Sequence, residues 1–416
     1  MGVSQLLVYG IIVAAFVGIA AGRLPRLAMN RASMALAAAI LLVAAGGIGA
    51  KEAFEAIDVE TIALLLAMMI LVANLRLSGF FDAAGTKVLS MARSPKAFLA
   101  IVVLSAGFLS ALFLNDTICI MLTPLVAEIA RRSGRDGKPY LIALATSANA
   151  GSCATAIGNP QNMLIASQSG ISFLEFAANL APPSLAAMLL CYLFTIAAFR
   201  KEFAGGTLTA AGIRTGGAAA NTGAIDKRLM AKSLAASALL LVLLALGVRT
   251  SLAALAAACV LMVTRRINPE KVFAEVDFSL LVFFSGLFVL TSAVAKTPLF
   301  GRAMQAVLPS LNRPGAVFAG VVTLASNLVS NVPAVMLLSP VAKGFPDPST
   351  GWLMLAMAST FAGNLTLLGS VANLIVAEQG EKAGFRITFG DYLKVGLPVT
   401  LASVAAGTAW VSFLRG

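Results

Sequence analysis

Apolar residues run along this chain in long blocks separated by short polar tips, at 5–22, 32–49, 59–80, 97–114, 117–130, 140–166, 183–199, 232–248, 251–264, 278–297, 315–330, 332–342, 352–377 and 394–413. Blocks of this kind predict membrane helices, which need about 20 residues to span the hydrocarbon. Those at 117–130, 251–264 and 332–342 are short for that. The block at 251–264 can still cross with a tilt, whereas 117–130 and 332–342 follow their predecessors after only a polar tip, so each pair reads as a re-entrant hairpin. The expected fold is an all-α polytopic membrane protein of about ten transmembrane helices plus two re-entrant hairpins.

Inside one block, the stretch Asn149 to Ala166 (NAGSCATAIGNPQNMLIA) carries two helix breakers and three amides at Gly158, Asn159, Pro160, Gln161 and Asn162. A lipid-facing helix could not hold these without large desolvation costs, so a broken helix lining a site is expected. A weaker copy, Gly369-Ser370-Val371-Ala372-Asn373, interrupts the block at 352–377. Paired interrupted segments in two halves point to a transporter's binding site.

The halves match at further anchors. Phe54, Asp58, Phe81 and Pro95 align with Phe273, Asp277, Phe300 and Pro314 at an offset of 219. The offset becomes 216 where Asn115, Thr123 and Pro124 meet Asn331, Ser339 and Pro340, and 211 where Gly158 and Asn162 meet Gly369 and Asn373. The spans beginning at 59 and 278 run in opposite directions, which makes the halves inverted-topology repeats. The expected organisation is N-terminal transmembrane helices at 1–50, a first repeat at 51–203, a cytoplasmic linker at 204–231, connecting transmembrane helices at 232–268 and a second repeat at 269–416.

Composition agrees with a membrane protein: 59% hydrophobic, 12% charged, mean hydropathy +0.92, against about 25% charged in an average soluble domain. The net charge of +12 does not imply a nucleic-acid partner, because Lys and Arg are scattered through short loops rather than gathered on one face. With the N-terminus outside, 22 of the 30 basic residues fall on the cytoplasmic side, which sets the orientation. The first block lacks the basic flank of a signal peptide and is kept as a mature helix. Four cysteines in apolar blocks without CxxC spacing indicate neither disulfides nor zinc, and there is no His. The phosphate-loop pattern GxxxxGK[ST] is absent, so concentrative transport must draw on an ion gradient or a separate partner. No nucleophile–base pair or metal cluster is visible; an enzyme is not expected, nor is a cofactor.

The hairpin tips, Leu114-Asn115-Asp116-Thr117 and Ser330-Asn331-Val332-Pro333, would meet the broken helices around one midplane cavity. The expected substrate-binding residues are Asn115, Thr117, Gly158, Asn159, Asn162, Ser330, Asn331, Gly369, Ser370 and Asn373. Helix N-termini there suit an anion or an oxygen-rich solute. The plainer alternative is that the tip residues cap the second hairpin arms. Asp116 is flanked by apolar runs on both sides, and an intramembrane carboxylate is a functional candidate because its charge is costly there; it is the expected proton-coupling residue. Cys119 and Cys153 could approach the cavity, and thiols bind trivalent metalloids, although buried Cys is ordinarily a small hydrophobe.

The segments LNDTICIMLTPLV, SANAGSCATAIGNPQNMLIA, LVSNVPAVMLLSPVA and AGNLTLLGSVANLIVAE resemble the ion transporter superfamily, in the branch of arsenite/antimonite efflux permeases and citrate-transporter-like anion permeases. The resemblance covers roughly residues 50 to 416. In the superfamily's divalent-anion/sodium symporters, paired Ser-Asn-Thr tips bind carboxylates and sodium sits beside the broken helices. Here the matching positions are Asn115-Asp116-Thr117 and Ser330-Asn331-Val332; the first tip has gained an acid and the second has lost a Thr hydroxyl. An aspartate in the first tip looks more like the arsenite and sodium/proton relatives.

The resemblance implies a secondary active transporter of a small anion or metalloid in the inner membrane, with proton-coupled arsenite/antimonite efflux by an elevator mechanism as the leading expectation. A sodium- or proton-coupled citrate/dicarboxylate transporter and a sodium/proton antiporter are the alternatives. Expected partners are the substrate, a coupling proton or sodium ion and the lipid bilayer, with a homodimer mate and a separate ATPase subunit as further candidates.

Overall fold

The computed structural model describes residues 3–21, 29–89, 91–205, 225–263, 267–311 and 315–415. Most of the expected linker, residues 206–224, lies outside them. The described residues form twenty helices and no strand. The first ten are α1 (Val3–Ala21), α2 (Arg31–Ala44), α3 (Ala50–Glu55), α4 (Val59–Leu77), α5 (Phe80–Leu89), α6 (Pro95–Leu112), α7 (Asn115–Arg132), α8 (Gly137–Ser152), α9 (Pro160–Ser169) and α10 (Phe173–Ala198). The second ten are α11 (Lys227–Ala245), α12 (Thr250–Met262), α13 (Pro269–Ala274), α14 (Phe278–Ala295), α15 (Pro298–Leu311), α16 (Ala316–Val329), α17 (Asn331–Lys343), α18 (Pro348–Ala362), α19 (Val371–Lys382) and α20 (Phe389–Arg415). Six of the described helices (α4, α6, α10, α11, α14, α20) are long and apolar enough to cross a membrane alone, and α1, α2, α12 and α16 are shorter apolar helices. The pairs α8/α9 and α18/α19 are the broken helices, and α6/α7 and α16/α17 are the hairpins.

Local sequence repeats along with the helix order. Asp58 caps α4 by accepting from the Thr61 N–H at 2.9 Å, and Asp277 caps α14 by accepting from Leu280 at 3.1 Å. Each carboxylate satisfies an orphan N–H of a first turn and complements the helix dipole. The second arm of the first hairpin begins two residues before its apolar block, and that of the second hairpin one residue before: Asn115 and Asp116 form the first turn of α7 rather than a loose tip, and the connection is only Phe113 and Leu114. In the second hairpin Ser330 alone separates the arms. Its φ of 77° and ψ of 158° make it the one described non-glycine residue at positive φ. A Cβ is poorly tolerated there, and such outliers cluster at functional sites.

The halves interlock. α2 packs against α14 and α12 against α4, while α7 lies along α19 and α17 along α9. At the α2–α14 crossing a Cβ on Gly286 would lie 2.6 Å from the Ala35 carbonyl carbon, so the backbones approach as closely as small residues allow. This crossing has its own apolar cluster, including Ile12, Met34, Leu42, Leu287 and Leu290. A second, larger cluster embraces the hairpins and both broken helices. Every α8 residue except Lys138 is buried, and α18 is buried from Thr350 to Ala362. A helix enclosed on all sides in this way belongs to a core, and lipid does not reach it.

The orientation makes a direct prediction. A cysteine at Arg131, at the outer end of the first hairpin, should react with a membrane-impermeant maleimide only from the cytoplasm, and one at Gly344 only from outside. Both positions are exposed, and Gly134 is avoided because its left-handed φ of 63° penalises a side chain. Labelling of both from one side would contradict the inverted arrangement.

Candidate functional site

The site is built where α8 and α18 stop. A helix end leaves carbonyls without partners, and in a membrane interior they must be satisfied by the protein. Both halves solve this identically. Asn162 Nδ2 donates to the carbonyls of Ser152 (3.1 Å) and Thr155 (3.0 Å), and Asn373 Nδ2 donates to those of Gly363 (2.7 Å) and Thr366 (3.1 Å). Asn159 caps α9 by accepting from the Asn162 N–H at 2.9 Å, with Pro160 in the first turn where its missing N–H costs nothing. Ser370 stands at the matching position of α19 but gives no side-chain cap.

The two breaks are also tied to each other. Asn149 Nδ2 donates to Asn364 Oδ1 (2.9 Å) and Asn373 Oδ1 (3.0 Å), and Asn364 Nδ2 donates to the Thr146 carbonyl (2.9 Å). Conversely, the Thr360 hydroxyl donates to Asn162 Oδ1 (3.3 Å) and accepts from Asn159 Nδ2 and Gln161 Nε2 (both 3.3 Å). Asn159 Nδ2 also donates to the Ser152 hydroxyl at 2.9 Å. Asn159, Asn162 and Asn373 thus have both ends of their amides engaged within the protein.

The hairpin tips complete the cluster. The Asn115 N–H donates to the Gly158 carbonyl at 3.1 Å, and Asn115 Nδ2 donates to Asn149 Oδ1 at 2.9 Å. Asn149 Oδ1 also accepts from the Ser370 hydroxyl at 3.1 Å. In the second half, Asn331 Nδ2 and Ser370 Cβ both border the space above Gly363. Neither α7 nor α17 receives a side-chain cap, so Asn115, Asp116, Thr117, Ser330 and Asn331 do not do the capping that was their plainer reading. Gly158 and Gly369 sit in the two breaks, a Cβ on Gly369 coming 2.8 Å from Asn327 Oδ1. Thr117 is half-buried on the first turn of α7.

Four buried polar atoms near the tips find no partner: Ser110 Oγ and Asn115 Oδ1 in the first hairpin, and Ser326 Oγ and Asn331 Oδ1 in the second. The members of each pair are separated by the same number of residues, so the hairpins present matched sets of oxygens. Buried polar groups in folded proteins mostly have partners. Other buried polar atoms here, such as Asn74 Oδ1 and Ser184 Oγ, also lack one, but only the tip atoms recur at matching positions in both hairpins, and that match marks a place for a ligand.

Asp116, half-buried on the same turn, makes no hydrogen bond or ion pair with another described residue. The charged groups whose fields reach it are Arg31 at the start of α2 and Asp277 at the N-cap of α14. Both belong to the interlocked helices outside the hairpin. Cys119 and Cys153 are fully buried. No metal-ligand cluster occurs among the described residues.

Asn149, Thr360, Asn364 and Arg31 were not among the expected site residues. The signal for the first three is a polar side chain late in an otherwise apolar span; Arg31 reads from sequence only as a loop charge.

Comparison with known proteins agrees with this architecture. A family model described as citrate transporter matches residues 13–362. A silicon efflux transporter of rice, Oryza sativa subsp. japonica, is 34% identical, with 92% of each chain covered. A Dictyostelium discoideum protein bearing the transporter name arsB is 27% identical over 92% of this chain and 87% of its own. The crystal structure of the Alcanivorax borkumensis YdaH transporter, described as having an unusual topology, superimposes with a TM-score of 0.59 over 99% of both chains at 15% identity, a likeness of fold alone. The chain therefore belongs to the citrate transporter family of the ion transporter superfamily and is a multi-pass secondary transporter.

Proposed function

We propose that this protein exports a small uncharged hydroxide, arsenite or antimonite in the first instance, across the inner membrane in exchange for protons. The observation that carries this is the free carbonyl of Asn115, which is 5% exposed, together with that of Asn331. A hydrogen-bond acceptor needs a donor. Arsenite and antimonite at neutral pH are hydroxides with O–H groups to give, whereas a carboxylate only accepts and would face these oxygens at a loss. The names of the rice and Dictyostelium relatives support the same class, since dissolved silicon is also a neutral hydroxide.

Movement in this reading is of the elevator type. The hairpins and broken helices, with α10 and α20, share the large core and travel as one body against α1, α2 and α14; α1 and α2 belong to the smaller cluster, and α14 contributes to both. Asp116 sits on the first turn of α7, in the moving body, while Arg31 and Asp277 stand at the starts of α2 and α14 on the other side of that boundary. It takes up a proton on one side and releases it on the other, where its charged neighbours differ.

A second reading rests on the same matched oxygens. Ser110 Oγ with Asn115 Oδ1, and Ser326 Oγ with Asn331 Oδ1, are hard ligands that also suit a cation, which would make transport sodium-coupled and open it to carboxylates. Reconstituted protein should separate the two. Proton-driven uptake of arsenite or antimonite into everted vesicles, indifferent to replacement of sodium by choline, is the expected result. Sodium-dependent citrate or succinate flux without arsenite flux would establish the second reading, and sodium/proton exchange with neither solute would indicate an antiporter.

A further inference from the structure

The orientation of Asn115 is imposed from the opposite half of the chain. The carbonyls of Gly363 and Thr366 can only accept, so Asn373 must present its Nδ2 to them and its Oδ1 away. The Thr146 carbonyl fixes Asn364 in the same way. Two oxygens, Asn373 Oδ1 and Asn364 Oδ1, then face Asn149 and hold its Nδ2 toward them. Asn149 is left with its Oδ1 turned to the hairpin, where it accepts from Ser370 and takes the Nδ2 of Asn115. The free end of Asn115 can therefore only be its carbonyl. Each amide in this series would cost a buried acceptor–acceptor contact to reverse, so backbone atoms in the second break decide which end of an amide the first hairpin shows.

We infer that Asn149 is a positioning residue that sets the polarity of the binding site: by locking Asn115 carbonyl-outward it makes the first hairpin select hydrogen-bond donors, neutral hydroxides, over acceptors such as carboxylates. This rests on the hydroxide reading above and adds to it a residue that does not touch the substrate. It also predicts that the preference is reversible, because an Asn115 amide freed from Asn149 can turn and offer its NH2.

The test uses full-length protein in proteoliposomes, with arsenite uptake measured alone and in competition with citrate. Asn149→Leu removes the lock; the arsenite KM should rise about tenfold, the scale of one lost hydrogen bond between neutral groups, and citrate should become a competitor where it is none in the wild type. Asn149→Asp keeps acceptors for Asn115 and Ser370, so it should retain the wild-type preference even if less protein reaches the membrane. A purely structural role predicts the opposite ranking, since a charge placed among buried amides is worse tolerated than an isosteric leucine. An unchanged arsenite-to-citrate ratio in Asn149→Leu overturns the inference while leaving the hydroxide reading intact. Wild-type protein that carries citrate and not arsenite overturns both. Should Asn149→Leu fail to reach the membrane, Asn115→Leu decides: it removes the free carbonyl and leaves Asn149 bonded to Asn364 and Asn373, and an unchanged arsenite KM there also overturns the inference.

Discussion

Asp116→Asn should abolish proton-driven uphill transport while leaving passive exchange of substrate down its own gradient. The substitution keeps size and shape and removes only the titratable proton. Because the side chain caps nothing and pairs with no described residue, the variant should reach the membrane in wild-type amounts, and loss of activity could not be laid to misfolding. Everted vesicles with an acid interior give the uphill assay, and counterflow of preloaded substrate gives the passive one. If the carboxylate carries the coupling proton, the first falls to background and the second stays within about twofold of wild type. Undiminished uphill transport would rule out the coupling role and shift weight to a cation held by the hairpin oxygens.

The second large effect is expected at Gly158. A Cβ there would lie 2.4 Å from the Ser152 carbonyl oxygen, 2.7 Å from Ser152 Cα and 2.8 Å from the Ser110 carbonyl oxygen, all of them backbone atoms that cannot swing aside. The glycine carbonyl also holds the Asn115 N–H. Gly158→Ala must push the break away from the hairpin and lose that bond, at a cost on the order of 3 kcal/mol, the upper end for overpacking. Thermal unfolding in detergent should drop accordingly, and transport should disappear. Gly369→Ala is the control. Its Cβ would meet Asn327 Oδ1 at 2.8 Å and the backbone oxygens of Gly363 and Thr366 only at 3.1 Å, a looser fit than at Gly158, so the loss should be smaller. Equal losses at the two positions would contradict the geometry of the first break.

The spans, hairpins and breaks were legible in the sequence because hydrocarbon punishes polar backbone and side chains so heavily that each departure from an apolar run carries meaning. The same logic could not see α3, α5, α13 and α15. These mix apolar and charged residues, as in Phe80, Phe81, Asp82 and Lys87 of α5, and a search for continuous apolar blocks passes over them. Their role is spatial: Phe81 packs edge-on against Phe113 at the hairpin connection, with ring centroids 5.9 Å apart. Within the site, the breaks announced themselves through Gly-Asn-Pro and Gly-Ser, but the partners of the amides did not. Asn149 and Asn373 are joined across 224 residues of chain, and Asn162 and Thr360 across 198. Such pairings are set by which helix ends meet in space. Arg31 was hidden for a related reason, since its proximity to Asp116 depends on how α2 lies against α14.

The bonds between the two breaks also bear on how the protein is made. Asn149, Asn159 and Asn162 enter the membrane with the first half of the chain, yet their partners Thr360, Asn364 and Asn373 are not synthesised until about two hundred residues later. At ordinary elongation rates of 5–20 residues per second that interval is on the order of 10–40 seconds. Throughout it Asn149 Nδ2 and Asn162 Oδ1 lack these partners at membrane depth, and only water or the insertion machinery can satisfy them. Biogenesis therefore has a vulnerable interval ended by the arrival of α18 and α19, during which an N-terminal half released early, by truncation or stalled translation, is left with an open polar seam and becomes a target for membrane proteases.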